Sequence, residues 1–256
     1  MINNPVGVLS LSKREILRFC FVATQTIFPP IVSSLLFMYI FGVAIGQRID
    51  FAMMGLNYFQ FIVPGLMTMH LIASSYENTS SSLFIARWHN HIQEVLLSPL
   101  SYFEMVLGLL AGGVARGTIV TIGVFVGSFL FYPMTIAHPL FLLYFIAMIS
   151  VIFSCLGMLG ALWAEDFNML SVWNTYLIIP LVLLGGVFHP IALLPESIRV
   201  LSHFNPMYYL VSGVRYSITG VEQAPIFICA VIPFGMAVVS FYFTVFLFKI
   251  GYKLRT

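Results

Sequence analysis

The sequence predicts an all-α membrane protein with six transmembrane helices. An N-terminal interfacial helix, a short cytoplasmic helix after the second span and a re-entrant outer loop between the fifth and sixth spans complete it. Three observations predict this fold class. Of 256 residues, 60% are hydrophobic and only 8% charged, where soluble chains carry roughly 25% charged residues. The mean hydropathy is +1.01. Charged residues leave five long charge-free runs, at 19–47, 51–76, 117–164, 167–195 and 223–248. A charge at mid-bilayer costs roughly 2.5–3.5 kcal/mol, so such runs mark spans, each needing about 20 residues.

The run 117–164 holds two spans, because Tyr132-Pro133 and His138-Pro139 place turn residues in its middle. The expected spans are therefore about 23–46, 58–84, 103–131, 139–164, 168–188 and 225–248. An even number puts both termini on one side. Lys13, Arg14, Arg18, Arg87, Lys249, Lys253 and Arg255 fall on that side, against Arg48, Arg199 and Arg215 opposite, so the positive-inside rule makes the termini cytoplasmic. The first apolar run is too long for a cleaved signal peptide and carries Pro29-Pro30.

Before the first span, residues 1–22 form the N-terminal unit and 23–256 the membrane domain. Val8, Leu9, Ile16, Phe19 and Cys20 share one helical arc while Lys13, Arg14 and Arg18 point elsewhere. This pattern suits a helix lying on the inner leaflet, or a basic flank of the first span. In the second loop, Trp88, Ile92, Val95 and Leu96 recur at helical spacing and Pro99 ends the segment. One apolar face is thus expected to meet the cytosol, for docking on lipid or on a partner protein. His89, His91 and Glu94 do not make a metal site, since only two of them share a face and no further ligand is near.

Within the spans, Arg116 needs a protein or water environment. Contact with an anionic substrate and pairing with a carboxylate or helix-end carbonyls both provide one. Gly108, Gly112, Gly113 and Gly117 beside it allow close helix approach. After the fifth span, Gly185-Gly186 breaks the helix, Pro195 opens a short piece, and Asn205-Pro206 starts another running through Tyr208 and Arg215 to Gly220. Non-helical backbone at membrane depth must be buried in protein or line a cavity, so this loop reads as re-entrant. The three cysteines lie far apart and form no disulfide framework.

Several function classes are excluded or disfavoured. A net charge of +2 with no basic patch argues against nucleic acid. The sequence holds no His-Glu-x-x-His, no Gly-x-Ser-x-Gly and no Gly-x-x-x-x-Gly-Lys-Ser/Thr, so neither an intramembrane enzyme nor an ATPase site is indicated. A proton-coupled carrier remains as the alternative, with Glu77, Glu104 and Arg116 its only intramembrane ionisable candidates.

The outer loop carries Ile178, Leu181, Leu184, Gly185, Val187, Leu194 and Pro195, then Pro206-Met207-Tyr208-Tyr209 and Arg215. In these residues the chain resembles the type-2 ABC exporter permeases, the membrane subunits of bacterial drug, lipid and polysaccharide exporters. The segment Glu94-Val95-Leu96-Leu97-Ser98-Pro99 resembles the family's segment after its coupling helix, and Phe61-Ile62-Val63-Pro64-Gly65 and Val114-Ala115-Arg116-Gly117 resemble a bacterial two-gene subgroup. The resemblance implies a half-transporter in the inner membrane. It implies that two copies would pair as a homodimer and that two separate ATPase subunits would bind ATP and magnesium, this chain itself needing no cofactor. The resemblance also implies site residues. Trp88, Ile92, Glu94, Val95 and Leu96 would dock the ATPase. Phe188, Pro195, Pro206, Tyr208 and Arg215 would form an outer gate. Tyr58, Phe61, Met67, His70, Trp173 and Tyr176 from spans two and five would line the cavity, an aromatic surface suited to an amphipathic or lipid-linked substrate.

Overall fold

The computed structural model describes residues 4–43 and 56–254, and every regular element among them is helical. Residues 44–46 of the first expected span, together with Arg48 and Arg255 of the charge comparison, lie outside the described residues.

α1 (Pro5–Phe21) starts where the Asn4 side chain accepts a hydrogen bond from the Gly7 amide at 2.9 Å and Pro5 takes the first helical position, where its missing N–H is harmless. The helix stops at Val22. α2 (Ala23–Thr26) and α3 (Phe28–Phe37) come next, broken at Ile27 because Pro29 and Pro30 have no amides to donate. A wide π turn, Met38–Val43, continues α3.

α4 (Tyr58–Trp88) opens with a capping box of Asn57 and Gln60. After α5 (Ile92–Leu97), α6 (Tyr102–Ser128) opens with a second box, Ser101 and Glu104. α7 (Pro139–Trp163) begins after the expected turn. α8 (Met169–Val172), a π segment Trp173–Ile178 and α9 (Ile179–Leu184) make one interrupted helix. It ends where Gly186 adopts φ +82°, a conformation that side chains rarely tolerate. α10 (Glu196–Phe204), α11 (Pro206–Thr219) and α12 (Ile226–Ile250) complete the chain.

Among the described residues, four stretches are long and apolar enough to cross a membrane: Ala23–Gly42, α6, α7 and α12. The second and fifth expected spans fall short of that standard. α4 is 31 residues long, but its second half carries Ser74, Ser75, Glu77, Asn78, Thr79, Ser80, Ser81 and Ser82. Most of these side chains are buried against neighbouring helices rather than offered to lipid. The interrupted helix fails by length: pieces of 4, 6 and 6 residues rise at most about 24 Å, against about 30 Å of hydrocarbon.

α4 is the centre of the bundle, packed between α6 and α7, with α11 wedged among α4, α7 and α12. α1 and α3 run beside α6 in the same direction. Leu11 and Glu15 sit over Gly108 and Gly112, and Ile31 and Leu35 sit over Gly123 and Gly127. The opposite face of α6 meets α4 and α7 as closely: a Cβ at Gly113 would collide with Ser154 Oγ.

The buried face of α1 differs from the expected arc. Leu11, Glu15 and Phe19 face the bundle, while Leu9 and Cys20 are exposed. Burying Glu15 is tolerable because Arg14, Arg18 and Ser82 all donate to its carboxylate.

Candidate functional site

Three groups of side chains carry the chemistry of the bundle. The first lies at the end where α4 finishes. The expected docking helix over 87–99 is two pieces: Trp88 closes α4, Asn90 turns the chain at φ +60°, and α5 comes after it. Ile92 and Val95 face inward, in one apolar cluster with Leu83, Phe84 and Leu109. This corrects the expectation that they form an exposed face. A six-residue helix has one apolar face, and burial against the bundle stabilises it more than solvent does. Trp88, Glu94 and Leu97 are the exposed members, and Leu96 is half-buried. Arg87, which entered the sequence argument only as a counted charge, donates to the carbonyls of Ala161, Leu162 and Ala164 and so caps α7. A cleft of about 420 Å³ opens beside it, lined by Phe84, Arg87, Trp88, Glu165, Lys253 and Leu254.

The second group is a chain of charges between α1, α4 and α6. Glu15 accepts from Arg14 at 2.9 Å, from Arg18 at 3.4 Å and from the Ser82 hydroxyl at 2.5 Å. Arg18 reaches on to the Asn78 carbonyl at 2.7 Å and its side-chain oxygen at 3.0 Å. Arg116 donates to Glu77 at 3.1 Å and to the Thr26 carbonyl at 3.3 Å. Of the two environments the sequence allowed for Arg116, the bundle supplies the pairing one. Glu77 itself is half-exposed. At the start of α6, Glu104 accepts from the Asn4 amide at 2.6 Å and from the Ser101 amide at 2.7 Å, tying the two helix starts together.

The third group lies at the opposite end, around α11. Arg215 is 1% exposed. It donates to the carbonyls of Phe61 at 3.2 Å and Gly186 at 2.8 Å and to Gln223 Oε1 at 2.5 Å, with its guanidinium 3.8 Å from the Phe61 ring centre. Glu222, seven residues on from Arg215, caps α12, accepting from the Ile226 amide. Tyr208 donates to the Gln223 carbonyl at 3.0 Å, and Pro206 opens α11 behind the Asn205 cap. Pro195 is exposed at the start of α10. Phe188 packs its ring against Phe37 and Phe41 of the first span, at 5.6 and 5.9 Å. The buried α11 is thereby bolted to α4 and to the Gly186 turn.

A family model described as ABC-2 type transporter matches residues 7–219, from the first turn of α1 to the last residue of α11. The chain belongs to the ABC-2 type transporter family. It is 38% identical over 234 residues to "Inner membrane transport permease YadH" of Escherichia coli, covering 91% of this chain and 90% of that one. Two "Nodulation protein J" chains are more distant: 26% identity for that of Azorhizobium caulinodans, over 79% of this chain and 81% of its own, and 22% for that of Rhizobium leguminosarum bv. viciae, over 83% and 82%.

Within this ABC-2 bundle the six expected cavity residues do not converge. Tyr58, Phe61 and Met67 are buried in the core of the single chain, Phe61 beneath Arg215. His70 is half-buried. Trp173 and Tyr176 point outward from the π segment. Among the described residues, no group of three or more His, Cys, Asp or Glu is placed to hold a metal ion, and His91 pairs only with Glu94, at 3.5 Å. Glu15 was not among the residues expected from sequence. The available signal was its spacing, four residues from both Leu11 and Phe19 and hence on one face with them.

Proposed function

We propose that this chain is the membrane-spanning permease subunit of an ATP-driven exporter in the bacterial inner membrane. In this reading α4 and the interrupted helix α8 to α9 serve as the second and fifth of six spans, with both termini cytoplasmic. Their polar or short stretches are covered by the bundle and by a second copy of the chain. The observation that carries the reading is the broken fifth helix: the chain stops at Gly185-Gly186 and returns as the buried α11, locked by Arg215. Interrupted helices with buried irregular backbone are where transporters build their passages and gates.

Two copies would form a passage between them, and two separate ATPase subunits would bind beneath, at Trp88, Glu94 and Leu97 beside the 420 Å³ cleft. ATP and magnesium belong to those subunits. The substrate class is amphipathic or lipid-linked, supported by the aromatic side chains Trp173 and Tyr176 on the fifth span. Purified alone the chain should hydrolyse no ATP; reconstituted with its ATPase in vesicles it should show ATP-dependent transport that a proton ionophore leaves unchanged. Transport that persists without ATP and collapses with the ionophore overturns the proposal in favour of a proton-coupled carrier.

A further inference from the structure

One cavity shares only Trp173 with the surface named above for the substrate. It has a volume of about 160 Å³ and is lined by Tyr76, Leu156, Gly160, Trp163, Trp173 and Leu177, among others. Its walls come from α4, the last two turns of α7 and the π segment. The cavity exists for a local reason. Gly160 leaves room for the Tyr76 ring, whose hydroxyl lies 2.6 Å from where a Cβ would stand and donates to the Leu170 carbonyl at 3.1 Å. That bond holds α8 and the π segment Trp173–Ile178 at a distance from α7.

The lining side chains are hydrocarbon except for the Tyr76 hydroxyl, already used, and the two indoles. Water would find few partners there, and apolar cavities of this size, about 150 Å³, admit hydrocarbon ligands. From Leu156 to Trp163 the cavity runs along α7 for about 10 Å, a shape for a chain rather than a ring. Trp163 and Trp173 stand edge to face at 5.8 Å, both partly exposed, at the last turn of α7. Tryptophans prefer the level of lipid headgroups. At the same level Lys253 Nζ lies 3.4 Å from the Trp163 carbonyl. Its carboxylate partner Glu165, at 3.2 Å, is 75% exposed, so the pair is solvated and the ammonium can turn to a phosphate.

We propose that this cleft holds one acyl chain of a phospholipid from the leaflet at the Trp88 end of the bundle, its phosphate beside Lys253 and its tail beneath the two tryptophans. The inference needs the chain to be in a membrane but does not depend on what it transports.

The three tryptophans at 88, 163 and 173 make the test direct. The full-length chain with Trp88→Phe, in sugar-detergent micelles, is titrated with phosphatidylglycerol or phosphatidylcholine brominated on the acyl chain, and quenching of the remaining Trp163 and Trp173 emission is monitored. The expected result is quenching that saturates at about one lipid per chain. Leu177→Phe and Leu159→Phe, at two positions that line the cleft and fill it when enlarged, should each raise the half-saturation point about tenfold, since the acyl chain then loses buried methylenes. Lys253→Gln should weaken the phosphatidylglycerol titration. Quenching that rises linearly with lipid mole fraction, as random contact would give, overturns the proposal from the parent chain alone. Equal curves for the parent and both monodisperse filled variants would also overturn it. No ATPase is involved, so failure here leaves the transport reading untouched.

Discussion

Replacing Arg215 by alanine tests the buried guanidinium that joins α11 to α4 and to the Gly186 turn. The guanidinium makes three hydrogen bonds, at 2.5, 2.8 and 3.2 Å, and stacks on Phe61 at 3.8 Å. Hydrogen bonds to a charged group contribute about 1.5–3 kcal/mol each, and a desolvated cation over an aromatic ring about 2. Opposing them is the cost of holding the charge out of water, which the mutant recovers. Alanine leaves the Phe61 and Gly186 carbonyls without this donor and opens a void beside α11. Breaking a buried charge network in this way costs about 3–5 kcal/mol. For a chain of this size each kcal/mol moves the melting midpoint by about 2–4 °C, so Arg215→Ala should melt about 6–20 °C lower. The assay is the monodisperse fraction surviving a heat step, read by size exclusion in detergent. Arg215→Lys should recover less than half of the loss, because a point charge cannot reach three acceptors in a fork. Transport per ATP hydrolysed should fall in both, since α11 is no longer fixed to α4. A midpoint for Arg215→Ala within about 2 °C of wild type would refute the reasoning, showing that the desolvation cost cancels the bonds.

Ile92→Asp should lower the yield of folded protein by placing a charge among Leu83, Phe84 and Leu109, whereas Leu97→Asp and Trp88→Ala should fold normally and lose co-purification of the ATPase; pull-down beside a thermal scan separates the two. Arg116→Met should destabilise more than the double change Glu77→Gln with Arg116→Met, because the single change strands a partly buried carboxylate; a double-mutant cycle on melting midpoints measures the difference. Gly113→Val should force α6 away from α7 and cost at least about 1–3 kcal/mol, whereas Gly235→Ala inside α12, which meets nothing within 4 Å, is the clash-free control and should stabilise by about 0.5–1 kcal/mol.

The helices were legible because charge-free runs and turn residues are local signals. The sequence alone located the turn before Pro139, the helix break at Gly185-Gly186 and the start of α11 at Asn205-Pro206, and all three are present in the structure. What misled it was the assumption that an apolar face in a loop must look outward. Ile92 and Val95 obey helical spacing, but spacing says which residues share a face and not what that face meets. Glu15 failed in the opposite sense. A carboxylate on a helix suggests solvent, and only the tertiary arrangement brings Arg14, Arg18 and Ser82 around it. Tyr58, Phe61 and Met67 were chosen for the cavity by span number and are buried within the single chain, because their burial depends on the rotation of α4, which hydropathy does not encode.

The seating of α1 and α3 on glycines of α6 sets the step size of any motion between them. Leu11 and Glu15 are four residues apart, as are Gly108 and Gly112, and the same interval recurs for Ile31 and Leu35 over Gly123 and Gly127. Such a fit works like a vernier with teeth one helical turn apart. Half a tooth would drive side chains into backbone, so the strip cannot creep. Its next seat lies about 5.4 Å along, and there Leu11 would face Gly112 while Glu15 would arrive opposite Arg116.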